Sequence, residues 1–138
     1  MAVSHKNKTL TSFFAFLLGG LGAQRFYLRG ARDIWAWAHL ASIPAAGLVA
    51  LLFPGADWFY KILPLVLSAL AGFLEALVLG LTPDEKWDAV HNRASARKSH
   101  SHWPLALLMV LSLAIGAGVL IATISRLFDL LYTGGAYG

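Results

Sequence analysis

The chain has 138 residues, 58% hydrophobic and 13% charged, with a net charge of +4 and a mean hydropathy of +0.65. Soluble domains average about 45 to 50% apolar residues, so a soluble globular fold of this size is excluded by the surface it would leave greasy. With no cysteine, disulfides, thiolate zinc sites and cysteine nucleophiles are excluded too, and the basic residues flank apolar runs instead of forming the continuous face that nucleic acid requires.

Four apolar segments follow in chain order, predicting an all-α, polytopic integral membrane bundle of three to four hydrophobic helices plus a short interfacial helix. Residues 9–24 lie between Lys8 and Arg25. At about 1.5 Å per residue they reach roughly 24 Å, short of the roughly 30 Å hydrocarbon layer, so the segment either stretches through its flanks, thins the bilayer or is re-entrant. A cleaved signal peptide fits poorly, because cleavage near Ala23 would place Leu21 where a small residue is needed and would translocate Arg25, Arg29 and Arg32. Residues 34–53 hold only His39 as an ionisable group, and Pro44 near their middle predicts a kink. Residues 58–81 follow a Phe-Pro-Gly-Ala-Asp turn and carry Glu75, while residues 103–131 include 22 uncharged positions from 104 to 125 before Arg126 and Asp129. Trp35, Trp58, Trp103 and Tyr132 sit near segment ends, as an interfacial aromatic belt requires.

Residues 82–102 form a polar insert. Thr82, Pro83 and Glu85 carry the signature of a capped helix start, and Trp87, Val90 and Ala94 are spaced to share one face of a short surface helix. The serine, arginine, lysine and histidine residues at 95–102 read as a mobile linker. Three units result: residues 1–81, the insert 82–102, and a further membrane helix within 103–138. Lysine and arginine counts place residues 24–33 and 82–102 on the cytoplasmic side and the C-terminus outside. Outside the apolar runs the split is seven to three if segment 9–24 crosses and nine to one if it is re-entrant, so only the N-terminus is left open.

Between the first two segments, residues 19–30 read GGLGAQRFYLRG. Gly19, Gly20 and Gly22 allow close helix approach, Phe26 and Tyr27 suit headgroup depth, and Arg25, Arg29 and Arg32 can meet lipid phosphates. The turn therefore reads as a membrane anchor or as a docking surface for a protein partner or an anionic phospholipid. Glu75 is the most chemically pointed residue, since a carboxylate facing lipid costs several kcal/mol; Arg25, His39 and Arg126 are partners by type. Ser68, Gly72, Ala76 and Gly80 recur every four residues beside it, a face on which a neighbouring helix packs closely. Ala114, Gly118 and Ala122, followed by Arg126, make a similar ladder in the last segment, for packing within the bundle or between copies. His91, His100, His102 and Asp88 do not offer an ordered third ligand, so no metal or cofactor is expected.

The run FLLGGLGAQRFYLRG at residues 16–30, together with the acidic residue in GFLEALVLGL, resembles the two-transmembrane domain family, also called NINE proteins. In that family an apolar helix ends in a Gly-Gly-x-Gly-Ala-His-Arg-Phe-Tyr-Leu-Gly turn, and an acidic residue follows in a later hydrophobic segment. The resemblance covers residues 6–81; Gln24 stands where the family commonly has histidine, and Arg29 moves the next glycine to Gly30. It implies an integral membrane protein of a bacterial inner membrane and carries no catalytic residues. No nucleophile elbow, phosphate loop or paired carboxylates accompany it. The expectation is a non-enzymatic structural, assembly or interaction component, the alternative being a small transporter or channel using Glu75.

Overall fold

The computed structural model describes residues 4–137, all of whose regular elements are helical. They are α1 (Lys8–Leu18), α2 (Ala23–Arg29), α3 (Ile34–Leu52), α4 (Trp58–Leu81), α5 (Asp84–His91) and α6 (Trp103–Thr133), with short 3₁₀ turns at Gly19–Leu21 and Gly30–Arg32. Three of these, α3, α4 and α6, are long and apolar enough to cross a membrane. Each apolar run starts where its sequence offers a side-chain acceptor for a free first-turn N–H. Asn7 accepts from Leu10, Asp33 from Trp35 and Asp57 from Phe59. Of the four apolar helices α1, α3, α4 and α6, only α6 opens without such a cap, at His102, and the short α2 and α5 also lack one.

Helix α1 and the turn after it are too short to cross, and the chain reverses at Gly22, whose φ of 74° lies in the left-handed region that favours glycine. Helix α2 then climbs back beside α1: Lys6 Nζ donates to the Tyr27 carbonyl at 2.8 Å, the Asn7 N–H to the Tyr27 hydroxyl at 3.1 Å, and the Phe14 and Tyr27 rings meet edge to face at 5.5 Å. The run that reads as one segment over residues 9–24 thus holds α1, the 3₁₀ turn and only the start of α2, and the chain folds back within it. What looks like a turn over residues 24–33 is a helix and a 3₁₀ turn. The reason is local: four glycines within 12 residues break the helix, while Ala23 and the six residues after it are helix-compatible.

The N-terminal segment, the end of α2, the start of α3, the end of α4, α5 and the start of α6 all gather at one end of the bundle. Lys8 pairs with Asp84 at 2.6 Å and donates to the Thr82 carbonyl at 2.7 Å. Nine of the 11 lysines and arginines lie toward this end; Lys61 and Arg126 lie toward the other. There Arg126 bridges Asp57 at 3.0 Å and Asp129 at 2.7 Å, fastening the turn before α4 to the far end of α6.

Helix α4 is the axis of the bundle, and its small-residue face is the contact surface. Ser68, Gly72, Ala76 and Gly80 are all buried. A Cβ on Gly72 would sit 2.6 Å from the Gly19 backbone, and one on Gly80 would overlap the Met109 side chain. The ladder in α6 behaves otherwise: Ala114, Gly118 and Ala122 are exposed, and a Cβ on Gly118 would meet nothing within 4 Å. Packing inside the bundle is overturned for that ladder, because α6 turns Leu105, Leu108, Met109, Ser112 and Thr123 inward instead. The choice between two four-residue stripes is made by shape, and Met109 fits the hollow at Gly80. Trp35, Trp58, Trp103 and Tyr132 are exposed, as belt residues would be.

The insert corrects three expectations. Thr82 does not cap α5; its hydroxyl donates back to the Val78 carbonyl at 2.7 Å and closes α4. Trp87 and Val90 do not share a buried face, since Trp87 is 1% exposed and donates its indole N–H to the Lys6 carbonyl at 2.9 Å, whereas Val90 is 63% exposed and Ala94 lies beyond the helix. Residues 95–102 have no regular structure yet are tied down. Asp88 accepts the N–H and hydroxyl of Ser99 at 2.7 and 2.6 Å, and Asp84 accepts those of Ser101 at 2.9 and 2.6 Å. Two carboxylates one helical turn apart meet alternate serines of an extended strand of chain, a match that hydrophobic content does not reveal.

Two outcomes are expected. Gly72→Val should cost about 3 kcal/mol, because backbone opposes the added methyls and cannot yield, whereas Gly118→Val should leave thermal unfolding in detergent unchanged; equal effects would contradict this packing. Hydrogen bonds from Asn92 and Ser99 hold the Asp88 carboxyl down at about 2. A carboxylate depressed in the folded state stabilises above its unfolded value of about 3.9 and loses that contribution as pH falls toward its folded value. The Ser99 amide should therefore lose protection from hydrogen exchange between about pH 4 and about pH 2, and in Asp88→Asn at every pH.

Candidate functional site

A carboxylate in the middle of an apolar helix must find donors, and Glu75 finds three. It lies on α4 one turn past Gly72, so the close approach at Gly19 and Gly72 delivers the start of α2 directly to it. Gln24 Nε2 donates to Oε2 at 2.7 Å, Arg25 donates to Oε1 from both Nε and Nη2 at 2.9 Å, and His39 Nε2 lies 3.3 Å from the same oxygen. Arg25 and His39 are thus the partners. Arg126, the third candidate by type, is at the opposite end with Asp57 and Asp129.

Arg25 also reaches Asp33 at 3.4 Å, which Arg29 approaches at 3.8 Å. Burial opposes ionisation of Asp33, but the Trp35 N–H and the Arg25 charge outweigh it and hold its carboxyl below the ordinary range. Arg32 is exposed and has no ion pair among the described residues. Phe26 stands edge to face with Trp37 at 5.3 Å. Of the residues that the sequence singles out, Gly19, Gly20, Gly22, Arg25, Ser68, Gly72 and Glu75 therefore belong to one cluster, and Arg29 borders it. Arg32, Phe26 and Tyr27 lie outside it.

His39 extends the network toward the helix break. Ser68 Oγ donates to the Gly20 carbonyl at 2.7 Å, which leaves it free to accept from His39 Nδ1 at 2.7 Å. Ser42 donates to the His39 carbonyl at 2.6 Å. Gln24 is wholly buried and its Oε1 has no protein partner.

The cluster stands between two cavities. A groove of about 440 Å³ runs between α3 and α4 past Trp35, Ser42 and Pro64, with His39, Ser68, Arg25 and Glu75 at one end. On the other side, toward the basic end, a cavity of about 180 Å³ is bounded by Gln24, Arg25, Arg29, Asp33, Glu75 and His91. Burial, with the charges of Arg29 and Lys6, pushes His91 below the usual imidazole range. Among the described residues no three metal-ligating side chains converge.

Sequence reasoning missed Asp33 and underrated Gln24. Asp33 carried a readable signal as an acidic residue immediately before an apolar helical run, the position of an N-cap. Gln24 carried only its place in the turn motif, where the resembled family commonly has histidine, because a neutral amide one residue from Arg25 has no charge pattern of its own. No protein-family model, curated protein or solved structure matches this chain.

Removing Arg25 leaves two carboxylates without their common cation, so Arg25→Ala should lower unfolding free energy by about 3 kcal/mol or more. Because the Glu75 charge is then the liability, Arg25→Ala/Glu75→Gln should be more stable than Arg25→Ala alone in a double-mutant cycle. Additive losses would show the pair to be uncoupled.

Proposed function

We propose that this chain is a non-enzymatic structural, assembly or interaction component of a bacterial inner membrane, built around a half-depth hairpin latched to two crossing helices. The observation that carries the reading is that Glu75, the one acidic residue within α4, is fully engaged by Gln24, Arg25 and His39 in holding the hairpin. A carboxylate so held acts as a fastener. The resemblance to the two-transmembrane domain family supports the same reading, since the residues that carry it, the glycine break with Gln24 and Arg25 on one side and Glu75 on the other, touch one another. Where that family commonly has histidine, Gln24 donates here, and an imidazole reaches Glu75 from His39.

The charge distribution favours a cytoplasmic location for the basic end, including residues 24–33 and 82–102, and an external C-terminus. The hairpin brings the N-terminal segment to the same end, which supports the nine-to-one division. The lipid bilayer is then the constant partner, and a membrane protein or a second copy of the chain would meet the exposed flanks of α3 and α6.

A second reading, a small proton or ion transporter, is favoured by one observation: the groove and the cavity lie on opposite sides of the Arg25–Glu75 pair. Reconstituted vesicles separate the two. The expected result is no proton or cation flux above empty vesicles, from chain whose N-terminal reporter fusion is active in the cytoplasm. Flux that vanishes in Glu75→Gln would replace the first reading with the second.

A further inference from the structure

Away from the Glu75 cluster, the seam between α1 and α6 joins a basic pocket to an apolar groove. The pocket, about 260 Å³, sits at the basic end and is lined by Lys8, Asp84, Arg97, Lys98, His100 and His102. The groove, about 490 Å³, continues along the seam past Phe13, Phe16, Trp103, Leu107 and Leu111. Asn7 and Thr9 line both, so the two are continuous.

Charge and depth together define the occupant. Lys8 is matched by Asp84 at 2.6 Å, which leaves the exposed Arg97 and Lys98, without ion pairs among the described residues, as a surplus of positive charge. Their backbone is not loose, because Ser99 and Ser101 are bound to Asp88 and Asp84. The uncapped first turn of α6 adds the positive end of a helix of 31 residues at the same place. Below it, the groove follows α1 from Asn7 to Phe16, a depth of about 14 Å, close to half of the roughly 30 Å hydrocarbon layer. It ends because α1 ends at Leu18, while α6 continues to Thr133. A crossing helix from another copy or partner would need a groove of full depth. One leaflet's acyl chain fits the depth that is there.

We propose that this seam binds one anionic phospholipid, its phosphate against Arg97 and Lys98 and one acyl chain in the groove between α1 and α6. The proposal rests on the membrane reading but is independent of what Glu75 does. It also moves anionic-lipid recognition away from Arg25 and Arg29, which face Asp33 and Glu75.

Native mass spectrometry of the full chain in detergent, titrated with phosphatidylglycerol and with phosphatidylcholine, tests it. Wild type should retain phosphatidylglycerol roughly thirtyfold more tightly, as two surface cations imply. Arg97→Gln/Lys98→Gln, with helicity unchanged by circular dichroism, should bring the two lipids to parity, and Leu107→Trp, which fills the groove, should weaken both. If the double variant loses helicity, Leu107→Trp decides. Equal binding of the two lipids by wild type, a preference that survives the double variant, or competition by glycerol phosphate as effective as by the lipid would overturn the proposal, the last pointing to a free phosphate site. Release of the chain from membranes by alkaline carbonate would instead refute the membrane reading itself; resistance to extraction with equal lipid binding would refute only the lipid site.

Discussion

Transferring a carboxylate into hydrocarbon is so unfavourable that the packed helices must supply its partners. In this chain the partners come from a different part of the sequence, 50 residues earlier, and the glycine break exists to bring them there. Gly19 and Gly72 touch backbone to backbone, Gly22 reverses the chain, and the next two side chains, Gln24 and Arg25, arrive at Glu75. Each glycine sets up the following contact. A side chain at either of the first two positions would hold the hairpin away and leave the carboxylate without its cation.

The rest of the bundle extends the same compensation outward. Arg25 shares its charge with Asp33, which in turn caps α3, so the start of a crossing helix is tied to the pair. At the opposite end Arg126 repeats the arrangement with Asp57, the cap of α4, and Asp129 of α6. Each end thus joins a helix cap to an arginine, and each arginine faces two carboxylates. The apolar core between them is small, formed chiefly by Leu105, Leu108 and Met109 with Phe16 and Leu77. Packing of small residues and placement of a few charges carry the specificity, as expected where lipid is as apolar as the side chains.

The sequence made the three long helices legible, because hydrophobic length is a strong signal, and it also isolated the α4 face of Ser68, Gly72, Ala76 and Gly80. It identified Arg25 and His39 as possible partners of Glu75 but could not discard Arg126, since depth along a helix depends on where the helix begins in the membrane. The α6 ladder failed for a related reason: Ala114, Gly118 and Ala122 have the same spacing as the α4 face, and spacing alone does not say which stripe meets a complementary shape. The ordering of residues 95–102 was hidden because it rests on two aspartates and two serines, with Ala96 the one apolar residue in the segment. Composition measures the means to bury surface. It does not register hydrogen bonds made by a polar segment to a polar helix.

The hairpin of α1 and α2 enters the bundle from one end and leaves by the same end. It therefore takes up area in one half of the bundle only, so that α1, α2 and parts of α3, α4 and α6 lie in the half on the basic side, beside α5, and only α3, α4 and α6 continue through the other. The molecule is tapered. The glycine break that brings Arg25 to Glu75 thereby also gives the bundle its broad end.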